Sequence, residues 1–332
     1  MPQYSVIIPV FNRPDEILEM LESLAIQGFQ DMEILIVEDG SEEKCENLVQ
    51  KFSERLDIKY FYKENSGPGD SRNFGMEKAI GDYLLFFDSD CVLPSDYFTK
   101  LHKSLTENPL DAFGGPDAAH ESFTNVQKAI NYSMTSFFTT GGIRGGKKQV
   151  NRFQPRSFNM GMKREVYQKI GGFSDVHPGE DPDLSFRIMD AGYKTGLVPE
   201  AFVYHKRRID FKKFALQVYK FGVVRVFLNK WYPKRSSVIY FFPSLFSLGS
   251  IIVVLASMFL SIVFILPLLL YIGLIWLDAI FKTKSLVVAA LAIPTSFIQL
   301  FGYGYGYLKS QLSINIFGRY ERDAFPLFFF SN

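Results

Sequence analysis

Asp88 and Asp90 stand one residue apart in GDYLLFFDSDCVL, Gly81–Leu93, where the apolar run Tyr83–Phe87 ends on two carboxylates. Negative charges at the mouth of a buried strand are unfavourable unless they are hydrated, paired or bound to a cation. Mg²⁺ and Mn²⁺ take oxygen ligands and use one or two carboxylates together with substrate phosphates. A D-x-D pair alone is a weak motif; at the carboxyl end of a parallel strand it gains weight as a metal site. Five other residues carry comparable chemistry. Asp39, before Gly40, is either a turn residue or an acceptor for a nucleobase or ribose. Arg72 follows the Gly67-Pro68-Gly69 turn and puts a guanidinium in a first helical turn, where it can donate to phosphate. Glu180 and Asp181 stand at a helix start, which favours acids electrostatically and also suits a general base. His205, after a short strand-like run, is either a surface histidine or a third metal ligand.

These residues need a scaffold. Tyr4–Val10, Glu33–Val37, Ile58–Tyr62 and Tyr83–Phe87 read as buried strands separated by helices. Pro14 opens the first helix, with Ile17, Leu18, Leu21, Leu24 and Ala25 on one face and Gly28 at its end. Ser41 is the expected N-cap of the second. Alternation of this kind predicts an α/β fold with a mostly parallel sheet, in which ligands bind beyond the carboxyl ends of the strands. Glu38, Asp39, Asp88 and Asp90 all fall at such ends, with Glu38 read as solvated or structural. Further on, Asp111–Gly115 reads as a strand, and Asn125–Phe138 as a helix. Gly141–Lys148 is a glycine-rich basic loop. Asn159–Phe173 reads as strand, helix and turn, and 182–191 as an amphipathic helix with Leu184, Ile188 and Ala191 inward. Phe202–Tyr204 is a last short strand.

The charge balance excludes a global field for nucleic acid, since the net charge is +1 over 332 residues. Hydrophobic residues are unevenly spread. Val238–Phe281 is almost purely apolar, with Asp278 its one charge. That length exceeds the roughly 20 residues needed to cross a bilayer and accommodates two spans, broken near Ser257–Ser261 or at Pro267. Ser285–Leu308 is a second apolar stretch; Pro294 and the GYGYG of Gly302–Gly306 allow it to span, re-enter or lie in the interface. Lys206, Arg207, Arg208, Lys212, Lys213, Lys230, Lys234 and Arg235 precede the first span, which by the positive-inside rule predicts a cytosolic N-terminal part. Tyr4–Val10 has neither a basic leader nor a cleavage site, which gives the same expectation. Cys45 and Cys91 form no metal or redox motif. The expected division is a catalytic domain at 1–210, a basic amphipathic juxtamembrane segment at 211–236, a transmembrane region at 237–310 and a tail at 311–332.

SVIIPVFNRPDEI (Ser5–Ile17), VEDGS (Val37–Ser41), GPGDSRNFG (Gly67–Gly75), FFDSDC (Phe86–Cys91), NMGMKREVYQKIGGF (Asn159–Phe173) and GEDPDLSFRIMDAGY (Gly179–Tyr193) follow one another in an order and spacing that resembles the family 2 glycosyltransferases over most of 4–208. The resemblance implies a GT-A catalytic domain that binds a UDP- or GDP-linked sugar with a divalent cation. Asp39 would then bind the base, and Pro9 to Asn12 would line the nucleotide. Arg72 would sit near the donor, and Asp88 would contact ribose or sugar. Asp90 would hold the metal, with Asp88 beside it and His205 as a less secure third ligand. Asp181 would deprotonate the acceptor hydroxyl, with inversion, and Glu180 would position the acceptor. Arg187 would be structural or orient the acidic pair. The family's frequent pair of aspartates is Glu38-Asp39 here. The nearest match to the Q-x-x-R-W of processive synthases, QVYKF at Gln217–Phe221, lacks Arg and Trp, which argues against a cellulose- or hyaluronan-type polymerase. The leading expectation is single addition to a lipid-linked saccharide at the cytosolic face of the cell membrane. The alternatives are transfer to polyprenyl phosphate, a processive synthase, a nucleotidyltransferase, and a membrane scaffold with an inactive transferase domain.

Overall fold

The computed structural model describes residues 2–118, 120, 123–141, 154–206 and 210–330. The chain divides into two compact units that are each discontinuous in sequence: Met1–Ala118 with Arg152–His205 and Leu327–Asn332, and Ala119–Asn151 with Lys206–Pro326.

Among the described residues the first unit has ten strands: β1 (Tyr4–Val10), β2 (Met32–Asp39), β3 (Ile58–Lys63), β4 (Tyr83–Phe87), β5 (Cys91–Val92), β6 (Ala112–Gly114), β7 (Asp117–Ala118), β8 (Asn159–Lys163), β9 (Thr195–Leu197) and β10 (Val203–His205). Seven form a sheet in the order β3-β2-β1-β4-β8-β6-β9, and β5-β10-β7 form a second, small one. β1 to β4 run parallel, as do β6 and β9; β8 lies antiparallel between β4 and β6. The sheet is therefore mostly parallel. The alternation of side chains along a strand assigns the two faces. Val6, Ile8, Ile34, Ile36, Leu85 and Phe87 join Ile17, Leu21 and Leu24 of the helix Pro14–Ala25 in one core cluster. Ile7, Leu35, Leu84 and Phe86 join Met76, Val166, Leu184 and Ile188 in the other. Burial of each such side chain stabilises the fold by about 1.5–3 kcal/mol. Gly75 lets the helix Pro68–Lys78 settle on β1, because an added Cβ would come 2.5 Å from Ile7 Cγ2.

Three local expectations are corrected. Ser41 is not an N-cap: the next helix, Glu46–Gln50, is preceded by Cys45, and Ser41 Oγ instead accepts from Asn12 N at 2.8 Å. Ala191 is exposed, because the helix Glu180–Asp190 ends before it; Leu184, Phe186 and Ile188 carry the buried face. The helix from Asn125 stops at Thr135, where extended Ser136 intervenes before a short turn, Phe137–Thr140. Of the basic loop Gly141–Lys148 only Gly141 lies within the described residues, and Arg207 and Arg208 lie outside them.

The second unit is helical. Among the described residues, three of its segments are long and apolar enough to cross a membrane: Val238–Phe259, Ile262–Thr283 and Leu286–Ile316. The break between the first two falls at 260–261 and is marked by Ser261, whose Oγ accepts from Val263 N. The third apolar stretch forms one continuous helix, Leu286–Gln311, with Pro294 inside it. GYGYG is helical and serves close packing. A Cβ at Gly306 would meet Tyr219 O of the helix Phe211–Trp231, and one at Gly304 would come 2.7 Å from Pro243 O of the helix Phe242–Phe259. Small residues allow such approach between apolar helices. Asp278 is compensated, with Tyr132 Oη donating at 2.7 Å, Ser136 Oγ at 3.2 Å and Lys282 Nζ at 2.9 Å.

Candidate active site

Because β1, β2 and β4 run parallel in register, Val10, Asp39 and Asp88 reach the same sheet edge. Three residues past the end of β4, Asp90 folds inward and is buried. Its Oδ2 accepts from Arg13 Nη1 at 2.8 Å, and its Oδ1 lies 3.2 Å from His205 Nε2. Pairing of β10 with β5 sets His205 opposite Cys91, which brings the imidazole to this point. The ring stacks on Phe158 with centroids 4.9 Å apart. His205 Nε2 is also 4.0 Å from Asp88 Oδ2, and its Nδ1 is 3.9 Å from Asp117 Oδ2. Asp90 Oδ1 and His205 Nδ1 are buried without a well-formed hydrogen bond among the described residues. Burial pushes the Asp90 carboxyl up, but His205 and Arg13 outweigh it and hold the group well below the usual carboxylate range. An ionised carboxylate oxygen facing an imidazole nitrogen is a donor set that suits a divalent cation. Cys91 Sγ is near enough to join Asp90 and His205 around one ion. Burial, then the charges of Asp90 and Asp88, push that thiol well up, so it stays protonated and is a poor ligand for a hard cation.

Arg72 is buried in the helix Pro68–Lys78 and points along the edge. Its Nη2 donates to Asp88 Oδ1 at 2.6 Å and its Nη1 to Glu180 Oε1 at 3.4 Å. The guanidinium lies 5.3 Å from the Phe173 ring centroid. Glu180 is held further: Gly179 N donates to Oε2 at 2.9 Å, and His177 Nδ1 lies 3.2 Å from both carboxylate oxygens. Burial raises the Glu180 carboxyl, but His177 and Arg72 prevail and lower it to about 2. Its neighbour Asp181 is more open, and the Arg156 guanidinium approaches only to 3.7 Å.

Asp39 is buried at the end of β2 with both oxygens in use. Oδ1 accepts from Lys63 Nζ at 2.6 Å and Ser66 N at 3.0 Å, and Oδ2 from Gly67 N at 2.9 Å. Gly67 has φ +94°, a left-handed backbone that favours glycine. A carboxylate offers about four acceptor sites, so Oδ2 keeps one. Pro9 is half-buried in β1. Asn12 takes a positive φ of 52°, and its side chain accepts from Glu42 N at 2.9 Å, joining the ends of β1 and β2. Glu38 is structural: Cys45 N and Tyr60 Oη donate to it at 2.7 and 3.1 Å. Arg187 pairs with Asp183 at 3.0 Å and donates to Ile170 O and Gly172 O.

Sequence reasoning missed Arg13, Lys63, Asp117 and His177. Lys63 had a signal, since a basic residue closing the third strand falls opposite Asp39 in register. His177 had one in its spacing, three residues before Glu180. Arg13 and Asp117 reach the site through tertiary packing that no local pattern announces.

Residues 5–171 match the family description "Glycosyl transferase family 2". An uncharacterized glycosyltransferase of Rickettsia felis is 36% identical over 141 residues, which cover 42% of this chain and 22% of that protein. The GalNAc(5)-diNAcBac-PP-undecaprenol beta-1,3-glucosyltransferase of Campylobacter jejuni is 34% identical over 117 residues, 34% of this chain and 38% of that one. The matched region thus spans well under half of either relative. Among solved structures, a mannosyltransferase from Pyrobaculum calidifontis in complex with GDP-Man and Mn²⁺ shares the fold, with a TM-score of 0.58 and 15% identity over 96% of this chain and 88% of that one.

Proposed function

The chain belongs to glycosyl transferase family 2, and from that premise we propose that it is an inverting, cation-dependent enzyme that moves a sugar from a UDP- or GDP-linked donor to a hydroxyl of a lipid-linked saccharide. One observation carries the reading. The buried Arg72 guanidinium holds Asp88 on one side and Glu180 on the other, so the D-x-D end and the acidic helix form one continuous site.

Asp90 and His205, with Asp88 beside them, would hold Mg²⁺ or Mn²⁺. A cation bound there offsets the charge that develops on the departing nucleoside diphosphate. Asp39 accepts an N–H of the base at its remaining Oδ2 site, and the turn Pro9 to Asn12 lines the nucleotide. Arg72 donates to a phosphate oxygen in competition with Asp88, which turns toward the ribose or sugar. Asp181 takes the proton of the acceptor hydroxyl. The hydroxyl oxygen bonds to the anomeric carbon as the bond to the diphosphate oxygen breaks, and that bonding pair leaves with the diphosphate. Attack opposite the leaving group inverts configuration. Glu180, ionised and held by three groups, positions the acceptor beside Asp181.

The lipid-linked acceptor is supported by the three membrane-length apolar helices and by the undecaprenol-linked substrate named for the Campylobacter relative. In this reading 1–210 is catalytic and faces the cytosol, 211–236 is a basic juxtamembrane segment, 237–310 resides in the cell membrane and 311–332 is a tail. The test is nucleoside diphosphate release from a panel of UDP- and GDP-sugars by detergent-solubilised protein with Mg²⁺ or Mn²⁺. Release from one donor, abolished by Asp90→Ala, is expected. Absence of release together with absence of cation-dependent nucleotide binding would overturn the transferase reading. Equal extension of water-soluble and lipid-linked oligosaccharides would overturn the acceptor.

A further inference from the structure

Leu327–Phe330 follows the apolar helices in sequence but belongs to the first unit. Phe329 forms an antiparallel bridge opposite Val176. His177 N donates to Phe328 O at 2.8 Å, and Phe330 N donates to Asp175 O at 3.0 Å. These two main-chain bonds enclose the turn that delivers His177 to Glu180. Phe328 is buried, and the Phe330 ring lies 5.9 Å from the His177 ring. Its other neighbour is Gly67, where an added Cβ would collide with the ring. Gly67 is a firm backing because its N–H is bonded to Asp39. The ring also helps wall a polar cleft with Asp70, Asn73, Ser174 and His177.

The turn is also anchored at its ends, and Val176 within it is buried. Phe173 is fixed by Asn73, which accepts from Phe173 N at 2.7 Å and donates to Phe173 O at 2.9 Å. Glu180 begins the acidic helix. Between them, the bridge to 328–330 bonds His177 directly, and His177 is one of three groups that hold the Glu180 carboxylate.

We infer that Leu327–Phe330 is a built-in strap of the transfer site and that Phe330 is a positioning residue, acting through His177 on Glu180 and the neighbouring Asp181. The inference rests on the roles proposed above for that acidic pair. It assigns a place in the reaction to a segment with no polar side chain, about 150 residues from the turn it holds.

The test uses the full chain in detergent, with Phe330→Ala, Phe330→Pro and Phe330→Tyr. Phe330→Ala is expected to lower kcat for transfer by about tenfold, within the roughly hundredfold that a misplaced reacting geometry can cost. Donor KM should stay within about twofold, since the strap does not bind the nucleotide. Phe330→Pro, which also removes the N–H donor, should lower kcat further, and Phe330→Tyr should restore it. Independently of activity, amide exchange across 174–180 should accelerate in Phe330→Ala relative to the sheet. Unchanged exchange there would overturn the strap. Faster exchange with wild-type kcat would overturn the positioning role. A wild-type chain inert toward every donor and without cation-dependent nucleotide binding would instead sink the transferase reading, and the positioning role with it.

Discussion

The two acidic pairs of the site, Asp88 with Asp90 and Glu180 with Asp181, are built alike and differ in what restrains them. In each pair one carboxylate is buried and held between an arginine and a histidine: Asp90 by Arg13 and His205, Glu180 by Arg72 and His177. The other is more exposed, with side-chain exposures of 33% for Asp88 and 19% for Asp181. At the D-x-D end the buried member has an oxygen with no well-formed hydrogen bond among the described residues, facing an imidazole. At the acidic helix the buried member is bonded on both oxygens by its own neighbours. In the proposed reading, burial would thus select the cation ligand in one pair and the positioning residue in the other, with Arg72 between them.

Substitutions test that division. The largest effect is expected for Asp90→Ala, which removes the proposed ligand and leaves Arg13 and His205 facing each other. Loss of electrostatic stabilisation of this kind costs at least about 10²–10³-fold in kcat, and cation-dependent nucleotide binding, followed by calorimetry, should vanish with it. Asp181→Asn comes next, because a general base contributes roughly 10²–10⁴-fold. Here donor binding should persist while transfer is lost. If Asp181→Asn instead abolished donor binding, the two pairs would not have separate tasks.

Glu180→Gln should cost less in turnover than Asp181→Asn but more in stability. The neutral amide keeps the shape and loses the charge that answers Arg72 and His177. The pH dependence has a definite sign. The carboxyl is lowered from 4.5 to about 2 in the folded chain, so its stabilisation is complete above 4.5 and is lost as pH falls towards 2. The stake is on the order of 2 kcal/mol, lessened by the partial exposure of His177. Thermal melting between pH 5 and 2.5 should fall more steeply for the wild type than for Glu180→Gln. Parallel slopes would show that Glu180 is not held as described.

Much of this arrangement was legible in the sequence, and the reason is local. Ile34–Val37 and Tyr83–Phe87 are continuous apolar runs ended by acidic residues, so both strands and the edge bearing Asp39 and Asp88 could be read directly. What escaped depends on pairing between distant segments. Asn159–Lys163 reads as a strand, but its antiparallel place between β4 and β6 comes from partners far away in sequence. The bonding of Asp39 to Lys63, Ser66 and Gly67 follows from the β2–β3 register and the Gly67 turn. Helical continuity through Pro294 and GYGYG follows from neighbouring helices that demand small residues. Leu327–Phe330 returns to Val176 across a separation that no periodicity encodes.

The smallest effect on catalysis is expected where a carboxylate is locked as firmly as Glu180 but at the wrong end of its strand. Glu33 lies near the start of β2 and Asp39 at its end. Glu33 is fully buried, with Ser5 Oγ donating at 2.6 Å, Lys59 Nζ at 2.8 Å and Ile80 N at 2.6 Å. Burial raises its carboxyl, but Lys59, Ser5 and the Ile80 amide together lower it below the usual range. Glu33→Gln weakens the charge-assisted bonds and should cost about 1–3 kcal/mol of stability, seen as a lower melting temperature. Turnover per folded molecule should be unchanged, because the parallel strands carry ligands only at their carboxyl ends. If kcat fell as it does for Glu180→Gln, burial and hydrogen bonding would not suffice to tell a scaffold carboxylate from a positioning one, and the contrast between the two acidic pairs would lose its footing.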